Sequence, residues 1–273
     1  MAYLLNNIDI TQNYGIIPSQ VDGGNIALRG CFDFPSRIGD ISHEWGDENG
    51  SEIYSASGDL FWGGRDITFA GLVTGARPDI YDALKTLYTA VSSATGLMVF
   101  STPYGDFSVY PKIAEPTHYR DISKLRIEFR EPVPVLTGGT IPATTSNPYM
   151  IDGIPMSSFG LYTSDYEGVI ILPEMKEQNF TRIESEGYKI TRRKAGKVEF
   201  SAWLIAANLT AFKANVKNLY ALFASAGERT FTLNNQVILV GVPVDGFKID
   251  GIRVADGVVI GGFKCDITIT SIT

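Results

Sequence analysis

Ile80-Tyr-Asp-Ala-Leu84-Lys-Thr-Leu87-Tyr-Thr-Ala-Val91 and Leu209-Thr-Ala-Phe212-Lys-Ala-Asn-Val216-Lys-Asn-Leu219-Tyr-Ala-Leu-Phe223 decide how this chain is read. In each, apolar residues recur at three- and four-residue steps, so one stripe of an amphipathic helix faces a core. The spacing predicts helices over 80–95 and 209–225, with Asp79 capping the first and Gly96 and Gly227 ending them. No other stretch carries a long helical signal. Lys85-Thr-Leu87-Tyr88 and Lys217-Asn-Leu219-Tyr220 also match each other, 132 positions apart.

The match spreads outward from the helices. Ile67-Thr-Phe69-Ala-Gly71 pairs with Val198-Glu-Phe200-Ser-Ala202 at an offset of 131, and an apolar segment follows each helix, at 97–100 and 230–233. A strand–helix–strand unit is therefore present twice, and 273 residues leave room for two copies and little else. Each repeat ends on an alternating strand, with Leu125, Ile127 and Phe129 inward in one and Cys265, Ile267 and Ile269 in the other. The openings are alike too: 8–17 reads as a strand broken at Tyr14-Gly15 and ended by Pro18, and 151–160 closes on Phe159-Gly160. These signals predict a mainly β (α+β) chain of two tandem β-sandwich or barrel-like domains, each with one packed helix. The uncharged, proline-punctuated stretch 132–148 reads as extended, which sets the domains at 1–135 and 149–273 with a linker at 136–148.

Between these landmarks the first repeat offers a turn at 21–25 and a strand at 26–34 stopped by Pro35. Residues 37–57 are rich in Gly, Asp, Glu and Ser, hold Trp45, and read as a long loop or hairpin arm reaching away from the core. Exposed arms of this kind contact something. A strand over 61–73 puts Arg65, Ile67, Phe69 and Gly71 on one face. Strands at 97–100 and 107–113 flank Pro103-Tyr104-Gly105, and Pro111 and Pro116 force an edge or a turn. In the second repeat the apolar run 237–244 precedes Asp245-Gly246, Asp250-Gly251 and Asp256-Gly257. Asp-Gly favours hairpin turns, but the first two are too close to flank a strand, so at least one is a bulge or loop.

Composition bounds the function. The chain is 44% hydrophobic and 19% charged with 28 Gly and 13 Pro, which describes a folded, turn-rich soluble protein. A net charge of −7 argues against a nucleic-acid groove, which needs clustered Lys and Arg; the one basic run, Arg192-Arg193-Lys194, reads as a solvated turn. Cys31 and Cys265 fit neither a zinc site nor a disulfide framework, so a reducing compartment or plain packing is expected. The first residues carry no basic start or apolar run of a signal peptide, and no stretch is long and apolar enough to span a membrane. Asn179-Phe-Thr181 and Asn208-Leu-Thr210 fit the glycosylation pattern but are discounted without a secretion signal.

Catalytic constellations are missing. His43 and His118 fall in predicted loops, no Gly-x-Ser-x-Gly elbow accompanies them, and His43-Glu44 lacks the second histidine of a zinc helix. Asp47-Glu48-Asn49-Gly50-Ser51-Glu52 lacks the alternating ligand spacing of a calcium loop. Gly63-Gly64-Arg65 and Ser93-Ala-Thr-Gly96 lack the Gly-Lys-Ser/Thr ending of a phosphate loop. The expectation is no catalytic residue, no metal and no cofactor. Tyr54, Phe61, Trp62, Tyr104, Tyr110 and Tyr119 offer a sugar-stacking face as an alternative; the favoured reading puts Phe61 and Phe69 in the core and several tyrosines at subunit contacts.

Phe34-Pro-Ser-Arg37-Ile-Gly39, then 45–52, then Phe61-Trp-Gly-Gly64-Arg65-Asp-Ile67-Thr-Phe69 resemble the opening domain of distal tail proteins of long-tailed bacteriophages, and the duplicated layout resembles the tail-tube-type fold. The second repeat departs from this pattern, because 163–193 lacks the Arg-x-Ile-x-Phe signature. The resemblance implies a structural, non-enzymatic tail component that self-assembles into a ring around a DNA channel, as a trimeric pseudo-hexamer or a hexamer. Arg37, Trp45, Glu48, Glu52 and Tyr54 become its assembly arm. Partners would be other copies and other tail proteins, with DNA only passing through and no membrane; the place would be the virion tail, assembled in the bacterial host cytoplasm. The alternative is a carbohydrate-binding β-sandwich module at a host-contact tip, and an enzyme of unassigned chemistry comes third.

Overall fold

A computed structural model describes residues 2–21, 23–39, 42–43, 45, 48–165, 175–181 and 186–271. The first repeat contains β1 (Leu4–Leu5), β2 (Ile8–Asp9), α1 (Ile10–Tyr14), β3 (Ile16–Pro18), β4 (Leu28–Arg29), β5 (Ser42–His43), β6 (Glu52–Ile53), β7 (Arg65–Thr74), α2 (Arg77–Ser92), β8 (Met98–Thr102), β9 (Gly105–His118) and β10 (Ile122–Glu131). The second contains β11 (Met150–Ile151), β12 (Ile154–Pro155), β13 (Leu161–Asp165), β14 (Met175–Thr181), β15 (Glu186–Arg193), β16 (Gly196–Ala206), α3 (Leu209–Ala224), β17 (Arg229–Leu233), β18 (Gln236–Ala255) and β19 (Val258–Ser271).

The fold is mainly β, built on two curled antiparallel sheets. One runs β2-β1-β8-β9-β10-β7-β3 and the other β12-β11-β17-β18-β19-β16-β13, which is the same order element for element. A hairpin sits at the same point of each repeat, β5–β6 in the first and β14–β15 in the second. Register makes the equivalence exact to the residue. Phe69 faces Ile127 across β7 and β10, and Phe200 faces Cys265 across β16 and β19. Phe100 and Phe231 likewise face Leu5 and Ile151. These inward side chains are all buried, and each contributes about 1.5–3 kcal/mol by leaving water.

Local chemistry sets the element ends. The stretch 8–17 is not one strand: Asp9 accepts hydrogen bonds from the Thr11 and Gln12 amides and starts α1, and Gly15, at φ 63°, stops it. Gly160, at φ 70°, ends a 3-10 turn at the matching place. Helix α2 starts earlier than expected, behind Ala76 with Pro78 in its first turn, so Asp79 lies inside the helix rather than capping it. It also stops before 95, where the Ser92 and Ser93 hydroxyls fold back on the Thr89 and Ala90 carbonyls. Asn208, discounted as a glycosylation site, caps α3 through the Ala211 amide at 2.8 Å.

Pro111 and Pro116 do not interrupt β9. Strand β8 pairs only with 105–109, so beyond Val109 one side of β9 is an edge that tolerates missing amides, and a bulge opposite Phe129 absorbs Pro111. Of the Asp-Gly pairs, only Asp256-Gly257 makes a hairpin turn, with φ 51° and 84°. Gly246 and Gly251 instead mark register shifts within β18. His43 and His118 lie in β5 and β9 rather than in loops.

The β18 irregularities at Gly246 and Gly251 receive the segment 23–36, which has no counterpart among the described residues of the second repeat. It adds β4 to β7 and then straps across the seam. The Asn25 amide donates to the Ile252 carbonyl at 2.9 Å, the Asn25 side chain bonds both backbone groups of Val254, and the Phe34 amide donates to the Phe247 carbonyl at 2.8 Å. Phe34 packs on Tyr220, Phe223 and Phe247, and Phe32 on Phe212, with ring centroids 5.3–6.4 Å apart. One apolar core therefore continues from repeat to repeat. Between the sheets, 133–149 carries no helix or strand; Leu136 packs on the core and the Thr140 amide donates to Asn218 Oδ1 at 2.9 Å.

Candidate functional site: the arm, the seam and an open cleft

The arm is a hairpin pairing Ser42 with Ile53 and His43 with Glu52. Trp45 Nε1 donates to Glu52 Oε2 at 3.0 Å, and the Trp45 ring meets His43 at 4.2 Å, which ties the hairpin across its width. Arg37 sits at the base. It bridges Trp62 through its backbone, its Nη2 donates to the Tyr54 and Asp59 carbonyls at 2.6 and 3.2 Å, and its guanidinium lies over the Trp62 ring. Burial lowers the Arg37 pKa, with Asp59 opposing. The five expected arm residues thus divide: Arg37 joins Tyr54 at the base, Trp45 joins Glu52 in the hairpin, and Glu48 is exposed near the tip. Asp40, Glu44 and Asp47 lie outside the described residues.

The tip is not free. The Gly50 amide donates to the Arg193 carbonyl at 2.8 Å, and the Arg193 amide to Asn49 Oδ1 at 3.0 Å. The first hairpin is thereby joined to β15 of the second, a link no sequence signal indicated. Arg192 and Arg193, read as a solvated turn, are part of that strand. At the base, the Gly227 amide beyond α3 donates to the Ser55 carbonyl at 2.8 Å.

The seam holds a buried polar cluster. Arg65 Nε pairs with Glu131 Oε2 at 2.6 Å, and Arg65 Nη1 donates to Tyr220 Oη at 2.6 Å and to the Asp33 carbonyl at 3.1 Å. Burial alone would favour a neutral Arg65, but Tyr220 and Glu131 beside it hold it cationic. Burial raises the Tyr220 and Glu131 pKa values against the pull of Arg65. Arg65, Glu131 and Tyr220 line a cavity of about 380 Å³ together with Lys213 and Lys217. Lys213 Nζ donates to the Pro103 carbonyl of the first repeat at 2.7 Å.

On α3, Lys213 and Tyr220 therefore meet the first repeat, while Lys217 between them is exposed. The equivalent stripe on α2 is Tyr81-Lys85-Tyr88, where Tyr81 and Lys85 are exposed and Tyr88 is half-buried. Within the matched Lys-x-Leu-Tyr motif, Leu87 and Leu219 both face a sheet. Lys85 and Lys217 are both exposed, and of the two tyrosines only Tyr220 is bonded to the other repeat. Tyr88 Oη is buried with no hydrogen-bond partner among the described residues.

The aromatic residues scatter. Phe61, expected in the core, is 61% exposed because β7 begins only at Arg65. Trp62 packs edge-on against Phe34 and Tyr104 against Phe32. An aromatic site that the sequence reading missed lies on the outer face of the second sheet, where a cleft of about 600 Å³ is floored by Gly262 and flanked by Trp203, Arg29, Asp250 and Arg253. Cys31 and Cys265 are free and buried. Among the described residues no group of His, Cys, Asp and Glu is placed to hold a metal, and no helix is long and apolar enough to cross a membrane.

No family model matches the chain, and no curated protein is significantly similar to it. Among solved structures, the chain is similar to the Dit (gp 19.1) protein of SPP1, described as a paradigm of the hub adsorption apparatus in phages infecting Gram-positive bacteria. The match has 11% identity and a TM-score of 0.38 and covers 97% of this chain and 98% of that one.

Proposed function

We propose that this chain is a non-enzymatic structural component of a phage or prophage tail, of the distal-tail or tail-tube-like kind, that assembles into a ring around a DNA channel. The observation that carries this reading is the head-to-tail relation of the repeats. Lys213 and Tyr220 of α3 are engaged by the first repeat, whereas at the matching places on α2 Tyr81 is exposed and the Tyr88 hydroxyl has no partner among the described residues. Two different surfaces meet at the seam, and a heterologous contact of that type propagates into a ring when its rotation closes. Three chains of two repeats would give a pseudo-six-fold ring; a hexamer is the distal-tail alternative. The units are 1–135 and 149–273, joined by 136–148. The arm carrying Arg37, Trp45, Glu48, Glu52 and Tyr54 contacts neighbouring subunits or other tail proteins in the virion tail, after assembly in the host cytoplasm.

The test is the mass of the purified protein by light scattering, followed by negative-stain imaging. A trimer seen as a six-lobed ring supports the duplicated ring, and a hexameric ring supports the distal-tail form. A strict monomer at high concentration, alone and with tail proteins of the same phage, defeats the proposal.

A further inference from the structure

We infer that the cleft on the outer face of the second sheet is a saccharide-binding site, with Trp203 as the stacking platform and Asp250, Arg29 and Arg253 as its hydrogen-bonding rim. Strand register lays out the site as a row. Tyr162 on β13 faces Trp203 on β16, Trp203 faces Gly262 on β19, and Gly262 faces Asp250 on β18. Arg29 of the first repeat ends the row by pairing with Asp250 at 3.1 Å. Trp203 is 49% exposed and lines the cleft beside Gly262, with Ile205 and Ile260 completing its apolar wall, and Tyr162, 51% exposed, stands next to Trp203 outside the lining.

The duplication shows that this row is not demanded by the fold. Its equivalent in the first repeat is Ile17, Leu72 and Lys124. There a lysine stands at the position where Gly262 has no side chain. Gly262 does not have a left-handed backbone, and a Cβ there would meet only the Asp250 carbonyl at 3.5 Å and Trp203 at 3.9 Å. Neither turn geometry nor close backbone packing explains the glycine. What it provides is room beside the indole.

The rim selects the occupant. Arg29 engages Asp250 only through Nε, and both side chains are partly exposed, so guanidinium and carboxylate groups keep hydrogen-bonding capacity toward the cleft. An apolar protein segment seated there would strip water from Arg29, Asp250 and Arg253 without replacing those bonds, which disfavours it. A pyranose has an apolar C–H face for the indole and hydroxyls that donate to Asp250 and accept from the arginines. The cleft volume lies within the range of small-molecule sites. This inference is independent of ring assembly.

The test is tryptophan-fluorescence titration of the full chain with gluco-, galacto-, manno- and N-acetylglucosamine-configured hexasaccharides. At least one should give saturable quenching with a dissociation constant near or below the millimolar range. Trp203→Ala and Gly262→Lys, the latter copying the first repeat, should each weaken binding by about tenfold or more, as read by calorimetry with the same sugar, at unchanged thermal unfolding. No saturable response to any of the four sugars, or unchanged binding by Gly262→Lys, overturns the inference. So does Trp203 emission that responds only to protein concentration, which would make a second copy of the chain the occupant.

Discussion

Arg65 Nη1 stands 2.6 Å from the hydroxyl oxygen of Tyr220, joining the first residue of β7 to the last turns of α3 across 155 positions. The Tyr220 counterpart, Tyr88, has its hydroxyl buried without a partner. Register explains the difference. The position equivalent to Arg65 in β16 is Gly196, so no second guanidinium exists to serve the first helix.

The two tyrosines should therefore respond in opposite directions to one substitution. Tyr220→Phe removes a bond to a buried cation and is expected to cost about 1.5–3 kcal/mol. Tyr88→Phe removes only an unsatisfied hydroxyl and should be neutral or stabilise by up to about 1 kcal/mol. Urea unfolding of the two single variants checks both signs. Equal losses would mean that Tyr88 has a partner the monomer lacks.

Periodicity made the repeated frame legible, because Leu84, Phe212, Ile127 and Ile267 each show a stripe or alternation that needs only local spacing. The strap was not legible. Residues 26–34 look like a strand of their own repeat, and only the three-dimensional meeting of Phe34 with Phe247 reveals a crossing to the other one. The Asp-Gly pairs at 245 and 250 carried half of that information: they were too close for turns, but nothing in sequence indicated what the bulges receive. The aromatic cleft escaped because Trp203 and Tyr162 lie 41 positions apart and become neighbours only through pairing. Among the arm residues, Trp45 and Glu52 are close enough for a hairpin to join them, whereas the Asn49 contact to Arg193 spans 144 positions.

Asp33 gives the seam a pH dependence. Burial pushes its carboxyl up to about 6 from 3.8, against the Ile249 amide that donates to Oδ1 at 2.8 Å. A raised carboxyl pKa means that the folded state binds the proton more tightly than the unfolded state. Its contribution to stability is thus greatest below the unfolded pKa, declines as pH rises toward about 6, and is flat above it. Asp33→Asn keeps an acceptor for Ile249 and removes the charge. The variant should gain on the wild type by about 3 kcal/mol across that window and hold the difference at pH 7. Urea midpoints of both proteins from pH 4 to 8 measure it, and parallel curves would contradict the assignment.

Gly246 tests the strap. At φ 67°, a Cβ here would stand 2.5 Å from Phe34 Cδ1 and 2.9 Å from the Pro35 carbonyl, so Gly246→Ala meets both backbone strain and a clash. A loss of about 2–3 kcal/mol is expected. Cys31 lies in the strap, 1% exposed, with its thiol pushed up to about 12 by burial, and serves as the reporter. Its labelling by a thiol reagent should accelerate in Gly246→Ala while Cys265, deep in the second sheet, stays slow. Gly262→Ala, whose Cβ would make only ordinary van der Waals contacts at 3.5 Å or more, should change neither rate.

The arm should separate into parts that hold it and parts that bind. Arg37 fixes the Tyr54 and Asp59 carbonyls at the base, so Arg37→Ala should lower stability by about 1–3 kcal/mol and reduce assembly as a consequence. Trp45 is 46% exposed and its indole N–H donates to an exposed Glu52, so Trp45→Ala should leave the unfolding midpoint within about 0.5 kcal/mol of wild type. If the arm binds a neighbour, that same variant loses a large aromatic contact and should shift the mass seen by light scattering toward the free chain. Glu52→Gln, which keeps an acceptor for Trp45, should assemble better than Glu52→Ala. Full assembly by Trp45→Ala and Glu52→Ala would take the arm out of the ring contact and leave the open stripe of α2 as the surface to examine by Tyr81→Ala and Lys85→Glu.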